Sequence, residues 1–270
     1  MKTGQLSTRN DGGGLQSVIK SFALIEALVD AGEANAATLA EELGEPRSSV
    51  YRMLATLQQI GVVEPGSRRG LHRPGLGLVR LGGLVLTRFD ERQLLLPVLE
   101  SLRAQTKETV HLALRRGNQA VFIERLQGES THALAIKLGG VLPLHVGASP
   151  RALLAFEPDG FWDEYFTETV IEAPTKSAPT TEAEVRELLV EIRRTGVSIS
   201  DGDVVPGVAT VGAPVFDHRG VIRAAIAFNL LPGALHDDRD GWIGLARTAS
   251  AAASLTFGYD LNEKGLPTIP

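Results

Sequence analysis

LAEELGEPRSSVYRMLATLQQIG, residues 39–61, sets two amphipathic runs on either side of Gly44 and opens the second with Pro-Arg-Ser-Ser. Counted from Ala36, apolar residues fall at the fourth, eighth, fifteenth and eighteenth positions (Leu39, Leu43, Val50, Met53), with Ala40 fifth and Gly44 ninth. That spacing predicts two helices packed at a steep angle, with the small Ala40 allowing close approach. Glycine suits the left-handed turn after the first helix, and Pro46 suits the first position of the second. The second run also carries a polar, cationic leading edge: Arg47, Ser48, Ser49, Tyr51 and Arg52. A helix buried in its own domain has no use for that edge. One docked end-on in a DNA major groove does: first-turn amides and serine hydroxyls meet phosphates, and arginine reads guanine edges. The competing reading is a small helical domain with a solvated basic face.

Working outward, Val18, Phe22, Ile25, Leu28 and Val29 keep a helical period that ends near Gly32. Asn35 is placed to cap a short helix over 36–43. Downstream, VVEPGSRRGLHRPG (62–75) reads as a strand, a Gly- and Arg-rich tip and a return strand. On such a wing Arg68, Arg69 and Arg73 reach the adjacent DNA backbone or minor groove. The charge distribution agrees. The chain as a whole carries −5, yet residues 46–80 hold six Arg against one Glu, while 81–270 hold 18 basic against 24 acidic residues. The positive charge is gathered where phosphates would lie.

A linker helix is expected over 78–90, then a helix over 91–106 with Pro97 as a kink or break. From Thr109 the period becomes two. TVHLALRRGNQAVFIERL (109–126) predicts a hairpin turning at Arg116-Gly117-Asn118, and another strand is expected over 134–138. Residues 148–156 and 181–196 read as helices, with the Pro- and Thr-rich segment between them mostly loop. Strands near 207–216 and 221–230 precede a last helix over 238–257. There is no internal repeat. The expected organisation is a tail (1–14), a winged helix–turn–helix domain (15–77), the linker helix (78–90), an α+β domain around an antiparallel sheet (91–260) and a second tail (261–270).

At 270 residues, 43% hydrophobic and 22% charged, two domains with a sizeable core are the natural expectation. Cysteine is absent, which removes disulfides, thiolate metal sites and cysteine nucleophiles. The N-terminal stretch lacks the apolar centre of a signal peptide, and no apolar run is long enough to span a bilayer, so a soluble cytoplasmic protein is expected. The sequence offers no reaction either. GASPR (147–151) approaches a nucleophile elbow, but Arg151 stands where the second glycine belongs. The segment reads instead as a helix start, whose amides and Ser149 hydroxyl suit a carboxylate. Histidines at 72, 111, 132, 145, 218 and 236 show no metal-ligand spacing, and GLGLVRLGG (75–83) lacks the spacing of a dinucleotide loop. No cofactor and no metal are expected.

Three segments together, LAEELGEPRSSVYRMLATLQQIGVVE, LPLHVGASPRALLAF (142–156) and GVSISDGDVVPGVATVGAPVFDHRGVIRAAIAFN (196–229), carry a resemblance over residues 15–259. The chain resembles the isocitrate-lyase-regulator (IclR) family of bacterial transcription factors. The resemblance implies a winged helix–turn–helix, a linker helix and a GAF/profilin-like antiparallel-sheet effector domain. It also implies dimers or tetramers that bind palindromic promoter DNA and a small-molecule effector held against the sheet. Carried over by position, Leu134 and Leu142 are apolar wall, and Ala148 and Ser149 are helix-start anion contacts. Ser200 or Asp201, then Thr210, approach from one side, and Ala227 and Asn229 from the last strand. Ala227 lacks a hydroxyl that some relatives use, Asn229 brings a larger amide, and Asp201 and Asp203 add negative charge at the mouth. A small carboxylate and a larger or aromatic acid both remain open as effectors. The function expected is a DNA-binding regulator that senses a small acidic or aromatic metabolite. The alternative is a sensor module whose first domain contacts protein, against which the arginine excess argues.

Overall fold

Asn35 caps the first helix of the quoted stretch: its Oδ1 accepts from the amides of Ala37 and Thr38, each at 2.9 Å. In this computed structural model, residues 16–86, 90–129 and 136–269 are described, and the chain divides into two units, Met1–Arg88 and Phe89–Pro270. In the first, α1 (Gln16–Ala31) leads through β1 (Ala34–Asn35) into α2 (Ala36–Leu43). Gly44 then turns the chain at φ 64°, a conformation glycine adopts without steric cost. α3 (Arg47–Gln59) follows, with Pro46 at the cap and not, as expected, at the first helical position. Its carbonyl accepts from the Ser49 and Val50 amides at 2.9 and 3.2 Å, which closes the first turn. Leu24, Leu28, Leu39, Val50 and Leu54 are sealed between the three helices, with Leu43 and Met53 packed at the edge. The apolar spacing has become the core.

β2 (Val63–Pro65) and β3 (Leu71–Pro74) make the wing, and β1 adds a third strand in the order β1-β3-β2. Its two residues were too few to show an alternation. α4 (Leu76–Leu86) starts two residues before the expected linker. The amides of Gly75 and Gly77 donate to the carbonyls of Val62 and Gly61 at 2.8 and 2.9 Å. A Cβ on either glycine would fall 2.4–2.5 Å from the Gly61 carbonyl oxygen, so only glycine permits this approach.

The second unit is α+β. α5 (Asp90–Thr106) runs unbroken through Pro97, held to the sheet by buried Leu95, Leu99 and Leu102. β4 (Val110–Arg116) and β5 (Gln119–Leu126) form the expected hairpin, which turns at Gly117 (φ 57°). The strand expected over 134–138 falls partly on residues outside the described ones, and 136–138 are not strand. Instead Gly139 turns the chain into a short edge strand, β6 (Val141–Pro143). α6 (Ala148–Ala155) is followed by an unexpected helix, α7 (Asp159–Glu168), whose Phe161, Trp162, Tyr165 and Phe166 recur at helical spacing. α8 (Glu182–Thr195) opens on a capping box between Thr181 and Glu184. Then come β7 (Ser198–Asp201), β8 (Ala209–Phe216), β9 (Ile222–Leu230), α9 (Pro232–Asp237), α10 (Arg239–Thr256) and α11 (Leu261–Lys264). Where a C-terminal tail was expected, Leu261, Leu266 and Ile269 pack against the core.

All six strands of the sheet are antiparallel, in the order β6-β5-β4-β9-β8-β7. α5 and α10 cover one face, and α6, backed by α8, covers the other. Among the described residues no helix is long and apolar enough to cross a membrane.

Candidate functional site

The leading edge of α3 lies open. Arg47, Ser48, Tyr51 and Arg52 are exposed (Tyr51 at 59%), and Ser49 is half-buried. No side chain caps this helix, and its first turn holds no acidic residue. Among the described residues, Arg47 and Arg52 form no ion pair. The cations are therefore not consumed inside the protein.

The scaffold around the edge is tied down. Lys20 on α1 pairs with Glu45 in the turn before α3 at 2.8 Å, and Gln58 Nε2 meets His72 Nδ1 on β3 at 3.2 Å. The Glu33 carboxylate accepts from the Ser67 amide and hydroxyl at 2.9 and 2.7 Å, anchoring the loop of the wing. Those bonds, the hydroxyl's first, lower the Glu33 pKa. Arg68 and Arg69 occupy the exposed tip between β2 and β3. Arg73 sits on β3 itself, opposite Glu64 in register and 3.3 Å from its carboxylate, so its charge is already shared.

In the second unit the α6 face of the sheet carries a polar patch. Antiparallel register puts Ser200, Thr210 and Asn229 in one row across β7, β8 and β9. Ala227 and His111 are neighbours in the next row, across β9 and β4. The Thr210 hydroxyl donates to Asn229 Oδ1 at 3.0 Å, and His111 Nε2 lies 2.9 Å from the same oxygen. α6 begins directly above: a Cβ on Gly212 would sit 3.2 Å from the Ala148 carbonyl carbon and the Ser149 nitrogen. Gly147 makes this possible with φ 86° and room only for hydrogen beside Val204. Leu142, opposite Ala120 on β6, belongs to the core on the same face.

The structure thus gathers Ala148, Ser149, Ser200, Thr210, Ala227 and Asn229 on one face, with Leu142 at its edge. It does not bring Asp201 there. Asp201 follows Ser200 on the strand, so it points to the other face, where His236 Nε2 lies 3.0 Å from it. Asp203 is buried against Arg151, which also donates to the Ile199 carbonyl at 2.8 Å. Of the negative charge expected at the mouth, that of Asp203 is therefore already paired and that of Asp201 faces away. Leu134 lies outside the described residues.

His111 went unnoticed in the sequence, where it was one scattered histidine. Its signal was the alternation of β4, which sends it to the same face as Ala113. It is 1% exposed, and burial, more than any neighbouring charge, lowers its pKa to about 4. The imidazole is neutral. Asn229 Oδ1 can only accept, so Nε2 carries the proton and Nδ1 is a lone-pair acceptor. That buried Nδ1 has no hydrogen-bond partner among the described residues.

On the opposite face, between α5 and α10, an open groove of about 320 Å³ is lined by Pro97, Val98, Ser101, Leu245 and Ala249 among others. Its lining holds no charged side chain, and two of its polar groups, Gln105 and Ser101, are bonded to each other at 3.0 Å.

Two family models match this chain: the IclR helix-turn-helix domain over residues 17–66 and the bacterial transcriptional regulator IclR C-terminal region over residues 83–255. The chain is 28% identical over 246 residues to the HTH-type transcriptional regulator KipR of Bacillus subtilis, covering 90% of this chain and 98% of KipR. It is 26% identical over 250 residues to the transcriptional repressor IclR of Escherichia coli, covering 92% and 91%. Among solved structures, the Thermotoga maritima IclR matches with a TM-score of 0.74 at 25% identity, over 91% of this chain and all of that one (100%). An IclR homologue from Microbacterium hydrocarbonoxydans, complexed with 4-hydroxybenzoate, matches with a TM-score of 0.75 at 22% identity, over 90% and 99%.

Proposed function

The chain belongs to the IclR family of bacterial transcriptional regulators, and on that premise we propose how it reads DNA and what it senses. It is a DNA-binding regulator with a C-terminal effector domain, and its relatives are regulators, not enzymes. In our reading, residues 15–77 form the DNA-binding domain, 78–90 the linker helix and 91–260 the effector domain. α3 enters the major groove, with Arg47 and Arg52 supplying much of the affinity and Ser48, Ser49 and Tyr51 completing the contact. Arg68 and Arg69, with Arg73 behind them, reach the flanking backbone or minor groove. The observation that carries this is the exposed, unpaired pair Arg47 and Arg52 on an uncapped helix whose scaffold is held from three sides. Duplexes selected from a random pool by the purified chain should share a palindromic site. Selection of no common sequence would count against the reading.

The effector pocket is the α6 face of the sheet, with Ser149, Ser200, Thr210 and Asn229 as polar groups. Leu142 and Ala227 supply apolar wall, and Ala148 lies with Ser149 at the start of α6. Its occupant is a small acidic or aromatic metabolite. The amides at the start of α6 suit a carboxylate, and a fold relative is a 4-hydroxybenzoate complex. A thermal-shift screen of small carboxylic acids tests this. The protein works in the cytoplasm, where promoter DNA lies, as a homodimer or homotetramer. Support for an oligomer comes from α1 and α4, where Val18, Phe22, Val79, Leu81 and Leu84 leave an apolar surface exposed (Val79 at 69%).

A further inference from the structure

The effector face holds a second unpaired group beside His111. Arg125 on β5 is the direct cross-strand partner of His111 on β4, so the two side chains share the α6 face. The preceding Glu124 is opposite Leu112 and points away, where Arg92 of α5 takes it at 2.7 Å. Arg125 is half-buried, and its Nε is buried without an acceptor. Among the described residues Arg125 forms no ion pair, and carboxylates of the second unit are engaged elsewhere. Glu129 pairs with Lys107, Glu157 with Arg115, Asp203 with Arg151 and Asp201 with His236. A guanidinium taken partly out of water with an idle donor is unfavourable unless an anion meets it. His111 presents the complementary deficit, an idle acceptor in a neutral ring 1% exposed. A donor without an acceptor and an acceptor without a donor thus stand side by side. They do not bond to each other.

We propose that Arg125 and His111 are the specificity pair of this pocket and that the effector is a hydroxy-substituted monocarboxylic acid. The guanidinium holds the carboxylate side-on through Nε and a terminal nitrogen, the planar geometry that suits arginine and not lysine. His111 Nδ1 accepts from a hydroxyl of the same ligand, its tautomer set by Asn229 and the Thr210 hydroxyl behind it. The assignment rests on reading this face as the effector pocket. It deepens that reading by fixing two groups that the ligand must carry.

Calorimetric titration of the full chain with benzoate, the three hydroxybenzoate isomers, their methyl ethers and their methyl esters tests it. The best hydroxybenzoate should bind at least about tenfold more tightly than its methyl ester and than its methyl ether, the scale of one lost charged or buried hydrogen bond. In Arg125→Met, checked for folding by circular dichroism, the preference for acid over ester should vanish. In His111→Gln the preference for hydroxyl over ether should fall while the acid preference stays. Equal binding of acid and ester by the parent, an undiminished acid preference in Arg125→Met, or no binding of any probe would overturn the proposal. Failure of the pocket reading itself looks different: Asn229→Leu would then leave the titration unchanged.

Discussion

His111 Nε2 and Asn229 Oδ1 stand 2.9 Å apart, joining β4 to β9 through a hydrogen bond closed to solvent. The bond makes the imidazole a fixed, neutral part of the sheet face, and this has a consequence in pH. Folding holds the group at about 4 against 6.5 in the exposed ring, with burial the main cause. Between those values the unfolded chain binds more protons at this position, so stability rises with pH across the window and is lost as pH falls from 6.5 toward 4. The loss at the acid end is of the order of 3 kcal/mol. His145, also lowered by burial, acts in the same direction. Urea midpoints should therefore be lower at about pH 5 than at about pH 7.5, and His111→Gln should narrow the difference. Equal narrowing in a variant at an exposed histidine would remove His111 as the cause.

The Thr210 hydroxyl and the Asn229 amide meet on the same face of the sheet, in a different unit from the residues assigned to DNA. Thr210→Val and Asn229→Leu should keep DNA affinity and lose the response to ligand, each at a cost to ligand binding of roughly 1–3 kcal/mol. An effector whose influence on DNA binding survives both substitutions would place the pocket elsewhere.

Glycines of the linker helix should respond in opposite directions. A methyl on Gly77 would lie 2.5 Å from the Gly61 carbonyl oxygen, whereas one on Gly82 meets nothing within 4 Å. Gly77→Ala should destabilise the N-terminal unit by about 1–3 kcal/mol through overpacking. Gly82→Ala should stabilise it by up to about 1 kcal/mol through helix propensity. Thermal unfolding of both variants checks the pair; a stabilised Gly77→Ala would mean that the contact gives way.

The helix–turn–helix was legible because its information is local. Ala40, Gly44 and the stripe from Leu39 to Leu57 specify both helices and their crossing within one short stretch. Gly117 gave away the hairpin in the same manner. Less of the sheet face could be read, because it depends on register between distant strands. Nothing near His111 in sequence announces that Asn229 and Arg125 will flank it. Asp201 and Asp203 misled for the converse reason: their partners His236 and Arg151 are far along the chain. β1 and β6 were too short to show a period, and Phe161, Trp162, Tyr165 and Phe166 marked α7 by a spacing hidden beside a Pro-rich loop.

Assembly should depend on the linker helix. Val79 and Leu84 are exposed on α4 although apolar, at 69% and 58%. Val79→Asp with Leu84→Asp should shift light scattering toward the monomer at micromolar concentration. DNA affinity should fall with it, because specific binding of this kind spans two half-sites. A parent that is monomeric with and without DNA would contradict the oligomer.

The account turns on whether the open edge of α3 is the DNA-reading surface. The most direct measurement is fluorescence anisotropy of the selected duplex, titrated over a range of salt with the parent and with the Arg47→Ala, Arg52→Ala double variant. A phosphate-contacting arginine contributes about one to the slope of log affinity against log salt, and a base-reading one contributes roughly 1–3 kcal/mol of specificity. The predicted result is a folded double variant that binds the duplex at least about tenfold more weakly, with a shallower salt slope or a relaxed preference for the selected sequence. A folded double variant that binds with the parent's affinity, slope and specificity would contradict the account.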